Sequence, residues 1–478
     1  MNLTKTITYL SALIAVALSP IFMVSCKNSS MKGMIIITRA SGKLKEINYV
    51  TGESWRYIPE TQIIALNPDK PAKSPVVLSK DFYSARSYEI SYDARFLLFA
   101  AQQKQGESWQ IWEMNLGNRR TRQITNSAES CTDPAYLPDG RIVFCKPIAN
   151  DSLKAGHSLF TCSLDGTDLK RITFDPDTYF AAGVLKDGRI LTIRKNLFPE
   201  LKNQMMMILR PDGTKAELFY NVLENNRLNS RAWETGNGNI IFIESSNGNM
   251  DGGNLVSVRY NRPLHSRINL ATGMKGDFHS VFPCLSGKML VTYRASSAGR
   301  YELYYFDPGT GALGQPVYSN ADNDVVDAVL VEERARPRKL PSEVDLHVKT
   351  GLLLCQDVNL LDPAYHNNKT VLKKVSKIEV LGINSSLGIV DVEKDGSFYL
   401  KAMADSPFRI QALDENDKVI YGPCDWVWLR PNERRGCVGC HEDHELVPEN
   451  RVPFSVKKSP VIIPVHLKKI KEETVELE

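Results

Sequence analysis

DPAYLPDGRIVFCKP, residues 133–147, and the LFTCSLDGTDLKRIT that follows at residues 159–173 decide the fold. Each half holds an extended apolar run and a tight turn whose Gly supplies the positive φ that a short hairpin demands. The same unit recurs along the chain. YEISYDARFLLFAAQ (88–102) pairs with IWEMNLGNRRTRQIT (111–125), and AAGVLKDGRILTIRK (181–195) with MMMILRPDGTKAELF (205–219). NSRAWETGNGNIIFIES (229–245) pairs with LVSVRYNRPLHSRINL (255–270), and SVFPCLSGKMLVTYR (280–294) with YELYYFDPGTGALGQPVY (301–318). The period of roughly 45 residues suits a four-stranded propeller blade.

Outside these units, MIIITRA near residue 34, TQIIALNP near residue 61 and VVDAVLVEE near residue 325 can share one more blade. Such a blade closes the ring with strands from both ends and gives about six blades in all. The pattern resembles the TolB-like propellers of exported bacterial proteins. Met205, Met206 and Met207 read as core packing in a strand. Cys131, Cys145 and Cys162 read as buried small hydrophobes, with a disulfide between two of them as the alternative. His157, His265 and His279 read as solvated or hydrogen-bonded loop histidines, because none has a second ligand at metal spacing.

The chain opens with MNLTKTITYLSALIAVALSPIFMVSC, an early lysine and an apolar run that together form an export signal. Its ending, Val24-Ser25-Cys26, resembles the bacterial lipobox, so Cys26 is the expected site of lipidation and the new N-terminus. An uncleaved anchor needs about 20 unbroken apolar residues, and Pro20 interrupts the run. The expected location is therefore the cell envelope, lipid-anchored to a membrane and facing the periplasm or the cell surface. A formal charge of +4 with both signs interspersed gives no nucleic-acid footprint, and neither a Walker loop nor a dinucleotide fingerprint is present.

EERARPRKLPSE, residues 332–343, is charged and proline-punctuated, as a linker is. The domain reading is a signal peptide and lipobox at 1–26, a tether at 27–33, the propeller at 34–332, the linker at 333–343 and a second domain at 344–478. Beyond the linker the strand pattern loses the blade period. Alternation through LHVKTGLLLCQDVNLL, KKVSKIEVLGI and SLGIVDVEKDGSFYLKAM predicts a small antiparallel sheet or sandwich. The fold class is thus all-β, a propeller followed by a sandwich-like domain that ends in WVWLRPNERRGCVGCHE (426–442).

Composition alone would place a Cys-x-x-Cys-His in such a chain roughly a few times in a thousand. Two thiols at Cys437 and Cys440 match the vinyl groups of a haem, and the next residue, His441, then sits beneath the iron. The export signal favours haem c over zinc, since thiols outside the cytoplasm are open to covalent chemistry. A structural zinc normally needs a second ligand pair, for which Cys355, Cys424, His444 and His466 are the scattered candidates. With haem, the chain is an electron-transfer or small-molecule redox protein whose partner is a redox protein or small molecule. With zinc, it is a non-enzymatic binding or scaffold lipoprotein.

The order of propeller, Leu354-Cys355-Gln356-Asp357-Val358, the Asp-Gly-Ser-Phe hairpin and Arg-Arg-Gly-Cys-Val-Gly-Cys-His-Glu resembles the hydrazine synthase α-subunit family. That resemblance implies covalent haem on Cys437 and Cys440, with His441 and Cys355 holding zinc and a tyrosine downstream ligating the iron. The tyrosine position is Glu445 here, beside His444. The axial candidates therefore stay open among His441, His444 and Glu445, with Met403 or an open face opposite His441 in the plain arrangement.

Overall fold

The structure, a computed structural model, describes residues 31–44, 58–70, 73–148, 156–199, 204–222, 226–228, 230–245, 252–360, 374–439 and 450–464. Six of its sheets form a closed ring of blades between Ile35 and Leu330. The middle strands of each blade, such as Phe96–Gln102 and Asn239–Ser245, are buried along nearly their whole length. Neighbouring blades cover both of their faces, which is why FLLFAA and IIFI are continuous apolar runs rather than alternating ones.

Both chain ends close the ring as expected. Ile35–Ser41 lies between Gln62–Leu66 of its own end and Asn323–Leu330, which arrives from the far end of the propeller and takes the innermost place. The innermost strands bulge at a common level. Ser87, Asp133 and Ala181 adopt φ of 51°, 51° and 53° there, and the Asp133 carboxylate accepts the Ala181 N–H of the next blade at 3.0 Å. In the fifth blade the innermost strand is split into Arg227–Leu228 and Trp233–Glu234. Arg231, from the break, donates to the Pro134 carbonyl at 2.8 Å.

Met205, Met206 and Met207 pack in the core, and so do Cys131, Cys145 and Cys162. Burial pushes the Cys131 thiol up to about 11 and that of Cys162 to about 12; both are thiols, not a disulfide. Two histidine expectations are corrected. His157 opens the buried strand His157–Ser163, and His279 lies in the innermost strand Asp277–Pro283 against the Tyr301 ring. The polar imidazole hid the true start of each strand from the apolar pattern. His265 is exposed in a turn as expected.

Residues 333–343 are an extended strap with defined contacts rather than a loose connection. Arg334 donates to Glu89 and to the Ile90 carbonyl, Arg336 to the Pro138 carbonyl, and the Arg338 N–H to the Lys186 carbonyl. Ser342 and the Glu343 N–H end the run on Asp212. The strap thus crosses the second, third and fourth blades in turn. Gly188, at φ 89°, is required there twice over, since a Cβ would stand 1.9 Å from the Arg338 oxygen.

The second domain consists of two four-stranded sheets, one containing Thr350–Asp357, Phe398–Met403 and Arg434–Gly439, the other Lys377–Leu381 and Arg409–Leu413. Leu353, Cys355, Val380, Leu400 and Ile410 form the core between them. The domain docks on the fourth blade through Trp428, which is 1% exposed and joins that blade's apolar cluster. Its ring meets Tyr179 edge-on at 6.3 Å between centroids. Beside it, Trp426 donates to the Phe198 carbonyl at 2.9 Å.

Candidate functional site

The motif strand Arg434–Gly439 runs parallel to Thr350–Asp357 at the edge of its sheet. The register sets Leu353 against Arg435, Cys355 against Cys437 and Asp357 against Gly439. Partners in register face the same side of a sheet, so Cys355 and Cys437 are neighbours. Cys355 is buried and Cys437 half-buried against the same core. Gly439 has no room for a side chain, because a Cβ would fall 2.2 Å from the Leu360 oxygen. The Gly before the second motif cysteine is therefore set by the close approach of the segment that follows Asp357.

A buried carboxylate fixes the root of this strand. Glu433 is 0% exposed. Its Oε1 accepts the Lys215 N–H at 2.9 Å and the Arg435 Nε at 3.0 Å and Nη2 at 2.8 Å, while Oε2 accepts the Arg430 N–H at 2.7 Å. Lys215 belongs to the fourth blade, so one side chain ties the motif strand to the propeller. Arg430 adds a second tie, donating from Nε to the Asp212 carbonyl at 3.0 Å and lying 4.5 Å from the Phe174 ring centroid. Its Nη1 holds Asp405 at 2.7 Å; burial raises that carboxyl and the guanidinium works against the rise.

Deeper in the same interface, Arg194 sits between Asp177 at 2.6 Å and Asp175 at 3.2 Å, all three buried. Burial pushes Asp175 up to about 7 against the pull of Arg194, and Asp177 is raised for the same reason. The Asn196 amide donates to Asp425 across the interface at 3.1 Å.

Past the motif, the chain re-enters the described structure with Arg451 bonded to the Gln356 carbonyl at 2.9 Å and to Asp395. The Phe454 and Ser455 N–H groups follow onto Asp395 and Ser397 at 2.8 and 3.0 Å. The polypeptide on both sides of the motif is thus fastened beside the Cys355 end of the sheet.

Of the residues singled out from sequence, Cys355 and Cys437 are brought together. Cys440, His441, His444, Glu445, His466 and the lipobox Cys26 lie outside the described residues. Among the described residues no three His, Cys, Asp or Glu side chains cluster as a metal site would require. Met403 is placed away from the motif: it pairs with Thr350, on the face opposite Cys355 and about 16 Å along the strand from it. Cys424 accepts the Ile410 N–H on the other sheet at 3.2 Å, and burial raises its thiol to about 11. Glu433, Arg430 and Trp428 were not found from sequence. The only signal was the concentration of aromatic and charged residues in WVWLRPNERR, whose partners stand some two hundred positions earlier.

Residues 362–442 match the family model described as the hydrazine synthase alpha subunit middle domain. The hydrazine synthase subunit alpha of Kuenenia stuttgartiensis is 23% identical over an alignment covering 80% of this chain, and the chain spans 63% of that relative's length. The solved Kuenenia stuttgartiensis hydrazine synthase superposes with a TM-score of 0.75 at 18% identity, over 89% of this chain and 71% of that one. TolB from Acinetobacter baumannii aligns at a TM-score of 0.45 and 14% identity over 63% of this chain and 67% of its own.

Proposed function

We propose that this chain, hydrazine synthase alpha-like in family and propeller-bearing in fold, is an exported, lipid-anchored protein that carries one haem c and works by electron transfer or small-molecule redox chemistry. Cys437 and Cys440 would hold the haem through thioethers, and Cys26 the lipid. The observation that supports this reading is the edge position of a half-buried Cys437, fixed at its root by Glu433 and flanked by Cys355. A thiol at the rim of a sheet can be reached by a bulky group, whereas one in the middle of the core cannot. A haem held by Cys437 and Cys440 would supply a one-electron couple and a place for a small molecule. The protein's part is to orient: the strand sets the direction of the Cys437 side chain and the propeller holds the strand. Hydrazine synthesis is left outside the proposal.

The register of Cys355 and Cys437 also favours a second reading. Cys355 supplies the extra ligand that a structural zinc at Cys437, Cys440 and His441 would need, and the chain is then a scaffold lipoprotein. A third arrangement places haem on Cys437 and Cys440 and zinc between Cys355 and His441. Expression with periplasmic haem-attachment machinery, followed by haem stain on denaturing gels and metal analysis, separates them. The proposal expects a Soret band that survives denaturation and is lost in Cys437→Ala and Cys440→Ala. Stoichiometric zinc lost with Cys437, and no covalent haem, would establish the scaffold reading instead. Zinc lost in Cys355→Ala and His441→Ala with haem retained identifies the mixed site; axial ligation by His441, His444 or Glu445 is then read from the iron spectrum of each variant.

A further inference from the structure

The sheet that carries the motif strand has a second face, directed away from the domain core. Its outward positions are given by the register: Leu352 beside Lys401 and Arg434, Leu354 beside Tyr399 and Gly436, and Ile462 beside Lys401. Leu352, Leu354 and Tyr399 are half-buried, Arg434 is exposed, and Ile462 is 47% exposed. The face is thus apolar with cations and carries no carboxylate at these positions. Among the described residues, three nearby carboxylates are engaged elsewhere: Glu433 with Arg435, Asp405 with Arg430, and Asp395 with Arg451.

Three properties of this face point to one occupant. Three strands of six to eight residues and the two-residue Val461–Ile462 span about 350 Å², which suits the small contacts of transient electron-transfer pairs rather than a permanent subunit interface. Its charged side chains among the described residues, Lys401 and Arg434, are of one sign, so they attract an acidic surface and speed encounter with one. It is also the reverse side of the strand that holds Cys437, one sheet thickness from the motif. We propose that this face docks an acidic one-electron redox protein, which loses one electron while the covalent haem gains one, with no bond made or broken. The inference rests on the haem reading above.

Reduced flavodoxin, an acidic flavoprotein, is the probe, with the full haem-loaded chain as its partner. Calorimetry should detect binding at low salt that weakens about tenfold at physiological ionic strength, as screened surface attraction does. The double variant Lys401→Glu, Arg434→Glu should lose about tenfold or more in affinity and in the rate of reduction by flavodoxin, with reduction by dithionite unchanged. Haem stain reports separately on the underlying reading, and its absence removes that reading and this role together. A haem-loaded double variant that binds and accepts electrons from flavodoxin like the parent overturns the docking face alone. So does loss of anionic-vesicle binding or of self-association in the double variant without any flavodoxin effect, since the occupant is then a membrane or a second copy.

Discussion

Replacing Glu433 with alanine tests whether the motif strand is held by the propeller or by its own sheet. The carboxylate accepts hydrogen bonds from Lys215, Arg430 and Arg435 in a site with no exposure. Its removal strands the Arg435 guanidinium, whose side chain is 10% exposed, and leaves two backbone N–H groups without acceptors. Breaking a buried pair by deleting one partner costs about 3–5 kcal/mol, and each hydrogen bond to a charged group is worth about 1.5–3 kcal/mol before relaxation. A loss of about 4 kcal/mol is less than the whole stability of a typical domain, about 5–15 kcal/mol, so the propeller should stay folded while the second domain loosens. Urea unfolding followed by two probes reads this directly: in a background with Trp55, Trp109, Trp112 and Trp233 replaced by Phe, tryptophan emission reports on the interface holding Trp426 and Trp428, and far-UV circular dichroism reports chiefly on the blades. In the parent the two transitions should coincide; in Glu433→Ala the fluorescence transition should come first and the Cys437 thiol should label faster. Glu433→Gln, which keeps one acceptor, should fall between. A Glu433→Ala protein with coincident transitions and a loss under about 0.5 kcal/mol would refute the assignment of Glu433 as the tie.

Trp428→Ala empties the plug in the fourth blade and should cost about 3–5 kcal/mol by urea titration, with Trp428→Phe recovering part of it. Because burial holds Asp175 and Asp177 above the ordinary carboxylate range, the folded state binds more protons than the unfolded one between that range and about pH 7. Stability should therefore fall as pH rises through this window; thermal melts of the parent should show the slope and Asp175→Asn should flatten it, while an equal slope in both would exclude the pair as its source. Cys26→Ala should move the protein from the membrane to the soluble fraction on cell fractionation, and a variant that stays membrane-bound after processing removes the lipid anchor from the proposal.

The blades were legible because their cause is local. PDG at 211–213 states its own turn, and the period between turns states the blade. Ring closure was legible too, since three strand-like runs at the two ends had no blade of their own. What remained hidden depends on distant partners. Gly213 looks like any hairpin glycine, yet a Cβ there would also press on the Arg430 side chain at 3.2 Å, a contact that no local window contains. Residues 333–343 look like a linker because their hydrogen bonds go to carbonyls and carboxylates of three blades. The pairing of Cys355 with Cys437 was not legible, since a parallel pair has no hairpin to announce it; the resemblance implied only that Cys355 meets His441.

That parallel pair has a consequence for the order in which the chain appears. Cys437 follows its register partner Cys355 by 82 residues, so a polypeptide emerging N-terminus first delivers the two thiols at different moments. At about 5–20 residues per second the lag is roughly 4–16 s, during which the side of the Thr350–Asp357 strand that the Cys437 strand will take stays open, even after Phe398–Met403 has arrived on the other side. Under the proposed reading of an exported haem protein threaded out as it is made, that interval would be spent among oxidants, and the second thiol would have to be modified before its strand is folded away. On that reading the timing of the sheet's completion would become a race between folding, cofactor attachment and disulfide exchange, one that a hairpin joining the same two cysteines would never have run.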